Sequence, residues 1–150
     1  MPPVLNALAV TPILVGLNFA ALSLLEREGA VRTFLPGDLI VREGDAGHSL
    51  FIIILGDVEV IKQHGSVHAV LLARLHAGTF FGEMCVVDPV PRAATVRASA
   101  EVTVFEITSA TLYHLYRQMP DQYSVLILNV ARDMARRLRR LDEAFAARAS

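Results

Sequence analysis

From Val31 onward the chain is cut into short β-rich runs by glycine-bearing turns, and few folds other than a two-sheet sandwich accept that rhythm. Val31 to Phe34 leads into Pro36-Gly37-Asp38, Leu39 to Arg42 into Glu43-Gly44-Asp45, and Ser49 to Leu55 into Gly56-Asp57. Glycine reaches backbone conformations closed to other residues, and aspartate bonds its own main chain, so each Gly-Asp marks a turn. Val58 to Gln63 and Val67 to Leu75 flank His64-Gly65-Ser66 as a hairpin, and Ala94 to Ala98 and Val102 to Ile107 follow. The pattern predicts a sandwich or jelly roll over residues 31–108, with Gly37, Gly44, Gly56 and Gly78 specifying turns rather than chemistry.

Helical segments bracket this region. Met1 to Leu25 is apolar, but no basic stretch precedes it, Pro2, Pro3, Pro12, Gly16 and Asn18 interrupt it, and Glu26-Arg27-Glu28 closes it as a helix surface would. A signal peptide or membrane span therefore fits poorly. A pair of short helices over residues 1–30, with Asn18 or Ser23 near a helix start, fits better. After Ile107, Ser109 is positioned to cap a helix to about Met119, Pro120 breaks it, and Asp121 opens a long helix toward Ala147. Ile127, Ala131, Met134, Leu138, Leu141 and Phe145 recur there at heptad spacing. The run is short of three heptads, so a dimer seam and packing on the chain's own β-roll both remain open. Arg132, Arg136, Arg137, Arg139 and Arg140 lie around it, interleaved with Asp133, Asp142 and Glu143, and read as a solvated face rather than a nucleic-acid or lipid patch.

At 150 residues the chain is one domain's worth, long enough to bury a core without disulfides. It is 53% hydrophobic and 19% charged with a net charge of −1, a balance that suggests no nucleic-acid or anionic-membrane partner. The single cysteine, Cys85, excludes an internal disulfide and clustered-cysteine metal sites, and fits a reducing cytoplasm.

The chemistry-bearing stretch is Phe81-Gly82-Glu83-Met84-Cys85-Val86-Val87-Asp88-Pro89-Val90-Pro91-Arg92-Ala93-Ala94-Thr95-Val96-Arg97-Ala98. Gly82 lets main chain approach a ligand, and Glu83 to Val87 can form one helical turn whose free amides face an anion. Arg92 offers a permanently charged planar fork for phosphate oxygens, and Glu83 an acceptor for a sugar hydroxyl. The bland alternative is a Glu83–Arg92 ion pair that holds the loop. The stretch resembles the phosphate-binding cassette of the cyclic nucleotide-binding domain family, which runs Phe-Gly-Glu, a small apolar turn, then Pro-Arg-Ala-Ala-Thr-Val. Phe34 to Val60 is similar to the family's opening strands, and the resemblance spans about Leu14 to Leu141. Asp88-Pro89-Val90 departs from the family, which often has an aromatic or small residue followed by Gly there.

The resemblance implies an α+β fold: an eight-stranded β jelly roll with N-terminal helices, a short cassette helix within residues 81–98 and C-terminal helices over 109–147. It also implies that Glu83 accepts the ribose 2′-hydroxyl, that Arg92 pairs with the exocyclic phosphate oxygens, and that amides of Gly82, Cys85 and Ala93 complete the cradle. Gly82, Glu83, Met84, Cys85, Arg92, Ala93 and Ala94 form the candidate ligand set, with Met84 and one of Met134, Arg136 or Leu138 as candidates for the base. Cyclic GMP-selective members commonly carry Thr or Ser after the arginine. Ala93 has no hydroxyl, so the ligand expected is cyclic AMP, with cyclic GMP less favoured.

The five histidines lie in separate elements apart from His64 and His68, which straddle a turn, so no metal site is expected. Cys85 and Ser66 lack a neighbouring base, so no covalent catalysis is expected either. The expectation is a bacterial, cytoplasmic sensor without catalysis or cofactor, signalling through its C-terminal helices to a second copy or an effector protein. In the family's transcription factors a helix-turn-helix follows the long helix. Here only Arg148-Ala149-Ser150 remain, so direct DNA binding is not expected. The alternative is a degenerate domain that binds no nucleotide and serves as an interaction module.

Overall fold

The computed structural model describes residues 3–83 and 90–149. Two helices open the chain, α1 (Pro3–Ala9) and α2 (Phe19–Glu28). Eight strands follow: β1 (Ala30–Phe34), β2 (Leu39–Val41), β3 (Ser49–Leu55), β4 (Asp57–Lys62), β5 (Val70–His76), β6 (Phe80–Phe81), β7 (Thr95–Ala98) and β8 (Val102–Thr108). Helices α3 (Ser109–Gln118) and α4 (Pro120–Ala149) end the fold. The strands form two antiparallel four-stranded sheets, ordered β1-β8-β3-β6 and β2-β7-β4-β5, the jelly roll expected from the turn rhythm.

Period-two alternation explains the two cores. In β3, Leu50 and Ile52 face the helices while Phe51 and Ile53 face the other sheet, so both faces are buried and the strand reads as unbroken apolar sequence. Strand β8 does the same, with Phe105 and Ile107 toward the helices and Val102 and Val104 inward. The outer cluster joins Leu8, Leu14, Leu25, Leu112, Leu115, Leu126 and Val130 from all the helical segments to the back of the first sheet. The inner cluster fills the sandwich with Phe81, Val58, Val96 and Ala98.

Several local expectations shift. Asn18 does cap α2, its side chain accepting from the Ala21 amide at 2.8 Å. The cap of α3 is Thr108 rather than Ser109, because the Thr108 hydroxyl is the group that reaches the Thr111 amide. Helix α4 starts on Pro120 itself, a residue suited to the first helical position. Strand β6 was not foreseen: two residues are too few for a periodic signal, and Phe80–Phe81 becomes a strand only by pairing with Phe51 and Ile52.

The inward face of α4 also differs from the expected seam. Leu126, Asn129 and Val130 are buried, with Asp133 and Arg137 partly so, whereas Leu138, Leu141 and Phe145 are exposed. Asn129 donates its side-chain amide to the carbonyls of Ile13 and Val15 at 3.0 and 2.8 Å, and the Asn18 amide donates to Gln122, which tie α4 to the N-terminal segment. Among the described residues no helix is long and apolar enough to cross a membrane.

Candidate functional site

Arg92 sits where the inner face of β3 meets the start of the cassette. Its amide donates to the Asp45 carbonyl and its carbonyl accepts from Gly44, both at 2.8 Å, beside an antiparallel bridge of Ala46 to Pro91. The guanidinium turns inward over the Phe51 ring, 5.7 Å from its centroid, and Phe51 stacks on Phe81 at 5.0 Å. Nη2 donates to the Ser49 carbonyl at 2.8 Å. Two glycines make room: a Cβ on Gly47 would lie 3.1 Å from Arg92 Nε, and one on Gly82 would lie 2.7 Å from Nη1 and 2.6 Å from the Ser49 carbonyl. Gly82 also has a φ of +82°, so its need for glycine is twofold. It admits the arginine itself, beyond the ligand approach read from the sequence.

Ser49 is fixed in turn. Its hydroxyl donates to Glu106 at 2.6 Å, and Glu106 pairs with Arg32 at 3.1 Å. Arg92 itself forms no ion pair among the described residues, so its half-buried charge is met only by a carbonyl and a ring face. A cation held this way is suited to an anion.

The Glu83–Arg92 pair does not form. Glu83 is gripped instead by Arg137 of α4, whose Nη1 donates to the carboxylate at 3.1 Å while Nη2 donates to the Phe80 carbonyl at 2.9 Å. The same guanidinium lies 4.8 Å over the Phe80 ring, and its Nε is 2.6 Å from Asp133 one turn earlier. The Asp133 oxygen in that contact has no aligned hydrogen bond, so it acts as a charge partner only. Arg137, read from sequence as part of a solvated basic face, thus closes an acid–base–acid row between α4 and the cassette. Asp133 and Arg137 occupy inward positions of α4, and apolar periodicity cannot detect charged residues there.

Gly82 lies against the Arg92 guanidinium, whereas Glu83, next to it in sequence, is held by Arg137. Ala93 is exposed, with its carbonyl accepting from Lys62 Nζ at 2.8 Å, and Ala94 is half-buried. Met84 and Cys85 lie outside the described residues, as do most of the helical turn expected over 83–87 and the Asp88-Pro89 bend. Of the base-contact candidates on α4, Met134 packs against the outer cluster, while Arg136 and Leu138 are exposed. An open cleft of about 400 Å³ near Arg42, Glu43, Gln63 and His64 lies at the turns of the second sheet and contains none of the predicted site residues. Among the described residues no cluster of three or more His, Cys, Asp or Glu could hold a metal, and His76 and His114 pair with Asp57 and Glu28.

The jelly roll, the glycine-led turn and the carbonyl-seated arginine make a β-roll with a cation suited to an anionic ligand. The chain belongs to the cyclic nucleotide-binding domain family, which it matches over residues 31–119. It is 33% identical over 90 residues to a cAMP-dependent protein kinase regulatory subunit of Blastocladiella emersonii, covering 59% of this chain and 22% of that protein. It is 30% identical to the cAMP-activated global transcriptional regulator Vfr of Pseudomonas aeruginosa, covering 73% of this chain and 51% of the regulator. The crystal structure of the N-terminal domain of a transcriptional regulator from Streptomyces coelicolor superposes with a TM-score of 0.74 at 27% identity, covering 93% and 94% of the two chains. The chain therefore spans about a fifth to a half of these curated relatives' lengths, and it is a regulatory-type cyclic nucleotide-binding domain.

Proposed function

We propose that the chain is a non-catalytic cyclic AMP sensor whose C-terminal helix reports occupancy of the cassette. The observation that carries nucleotide binding is Arg92: a fixed guanidinium, without a carboxylate partner among the described residues, beside the glycine-led turn that opens the cassette. In the roles that the family resemblance implies, the cyclic phosphate takes Arg92 and the ribose hydroxyl takes Glu83. Both kinase and transcriptional relatives are named for cyclic AMP, which supports that base together with the missing hydroxyl at Ala93.

The reporting step is supported by Arg137. A ribose hydroxyl that hydrogen-bonds to Glu83 would compete with the grip of α4 on that carboxylate, so nucleotide binding and a displacement of α4 would be coupled. Exposed Leu138, Leu141 and Phe145 on the distal part of α4 favour an output through a second copy or an effector protein.

Isothermal titration of wild type and Arg92→Ala with cyclic AMP tests the reading. Removing a buried charged partner of a ligand costs ~2 to 5 kcal/mol, so the variant should bind at least about thirtyfold more weakly. Equal affinity would overturn the site.

A further inference from the structure

We infer that Lys62 is a positioning residue for Arg92, a brace from the β4–β5 hairpin that sets where the guanidinium meets a phosphate. The inference rests on the nucleotide-binding reading and adds a residue that never touches the ligand. The cassette's second arm needs such a support. Arg92 is fastened on one side by Gly44 and Asp45, but the next carbonyl, Ala93, belongs to an exposed residue just before β7. Lys62 Nζ takes that carbonyl at 2.8 Å and pairs with Glu43 at 3.3 Å. Glu43 immediately precedes Gly44, so both grips on the arm originate from one corner.

That corner is itself closed. The Glu43 amide donates to the buried Thr95 hydroxyl at 3.0 Å, and its carboxylate accepts from the Gln63 amide at 2.9 Å. Gln63 has a φ of +55°, a left-handed conformation that a residue with a side chain adopts only when its surroundings hold it. The Gln63 hydrogen bond, then Lys62, lower the Glu43 carboxyl from its ordinary value against a desolvation that raises it, in keeping with its place between two donors. Residues 43, 62, 63, 93 and 95 therefore form a ring of contacts around the base of the phosphate-binding arm.

Lys62→Met keeps the aliphatic stem and removes the donor, and Lys62→Arg keeps a donor. With the full chain, titration should show cyclic AMP binding about two- to fivefold weaker in Lys62→Met and recovered in Lys62→Arg. The melting temperature without nucleotide should move by less than about 2 °C, since one exposed pair contributes little to folding. Hydrogen exchange without nucleotide should be faster at the Gly44 and Arg92 amides of Lys62→Met, with the strand cores unchanged. Wild-type affinity in Lys62→Met, or unchanged exchange at those two amides, overturns the brace. If wild type binds no cyclic AMP, the ligand reading falls, while the exchange comparison still decides whether Lys62 holds the arm.

Discussion

At the scale of single residues, charge placement decides the site. Arg92 is seated by a carbonyl, a ring and two glycines, and Glu83 by an arginine from another element. The exposed Ala93 is where base choice is expected to be tuned. Ala93→Thr supplies the missing hydroxyl, and one hydrogen bond is worth ~0.5 to 1.5 kcal/mol, so competition assays should show the cyclic AMP preference over cyclic GMP narrowing by about two- to tenfold. An unchanged ratio would count against that role. On the second sheet, Glu59 lies 2.8 Å from Arg97 and 3.7 Å from Arg74. The Arg97 hydrogen bond, with smaller charge effects from both arginines, holds its carboxyl below the ordinary 4.5. A carboxyl lower in the folded than in the unfolded chain adds stability above its unfolded value, and this is lost as pH falls through the folded one. Glu59→Gln should therefore flatten the stability loss below about pH 4.5, measured by urea midpoints across an acid series.

At the scale of elements, the proposed communication rests on α4. It is 30 residues long, or about 45 Å, and its first half is tied to the N-terminal segment through Asn129 and Gln122. Motion about the α3–α4 junction at Met119-Pro120 would require those ties to break or the N-terminal segment to follow. Displacement of α4 must either carry the N-terminal helices along or begin beyond Asn129, near Arg137. In hydrogen exchange, cyclic AMP should change protection in α4 of the wild type, and Arg137→Gln should abolish most of that change while leaving the strands alone. A response that persists in Arg137→Gln would show that the Glu83 contact is not the coupling. The elements themselves were largely legible in the sequence, because β3, β8 and the Gly-Asp turns follow local rules of alternation and turn chemistry. What escaped was set by tertiary contact: the two-residue β6, the Thr108 cap, and an inward helix face that mixes Leu126 and Val130 with Asp133 and Arg137.

At the scale of the molecule, the candidate anchors Glu83 and Arg92 stand out from their motif, while their partners do not. Nothing local links Ser49 to Arg92, Arg137 to Glu83 or Lys62 to Ala93, which are 43, 54 and 31 positions apart. The two cores divide the labour. The inner cluster holds the sheets together and seats Arg92, and the outer cluster binds every helix to the back of the first sheet. A gene trimmed to the family-matching stretch, residues 31–119, would delete α1, α2 and α4, stripping cover from Leu50, Ile52, Phe80, Phe105 and Ile107. Such a fragment should come out of cells as inclusion bodies or, if recovered, bind a hydrophobic dye strongly. The flanks that look dispensable in an alignment are thus the lining that makes the recognisable part expressible at all.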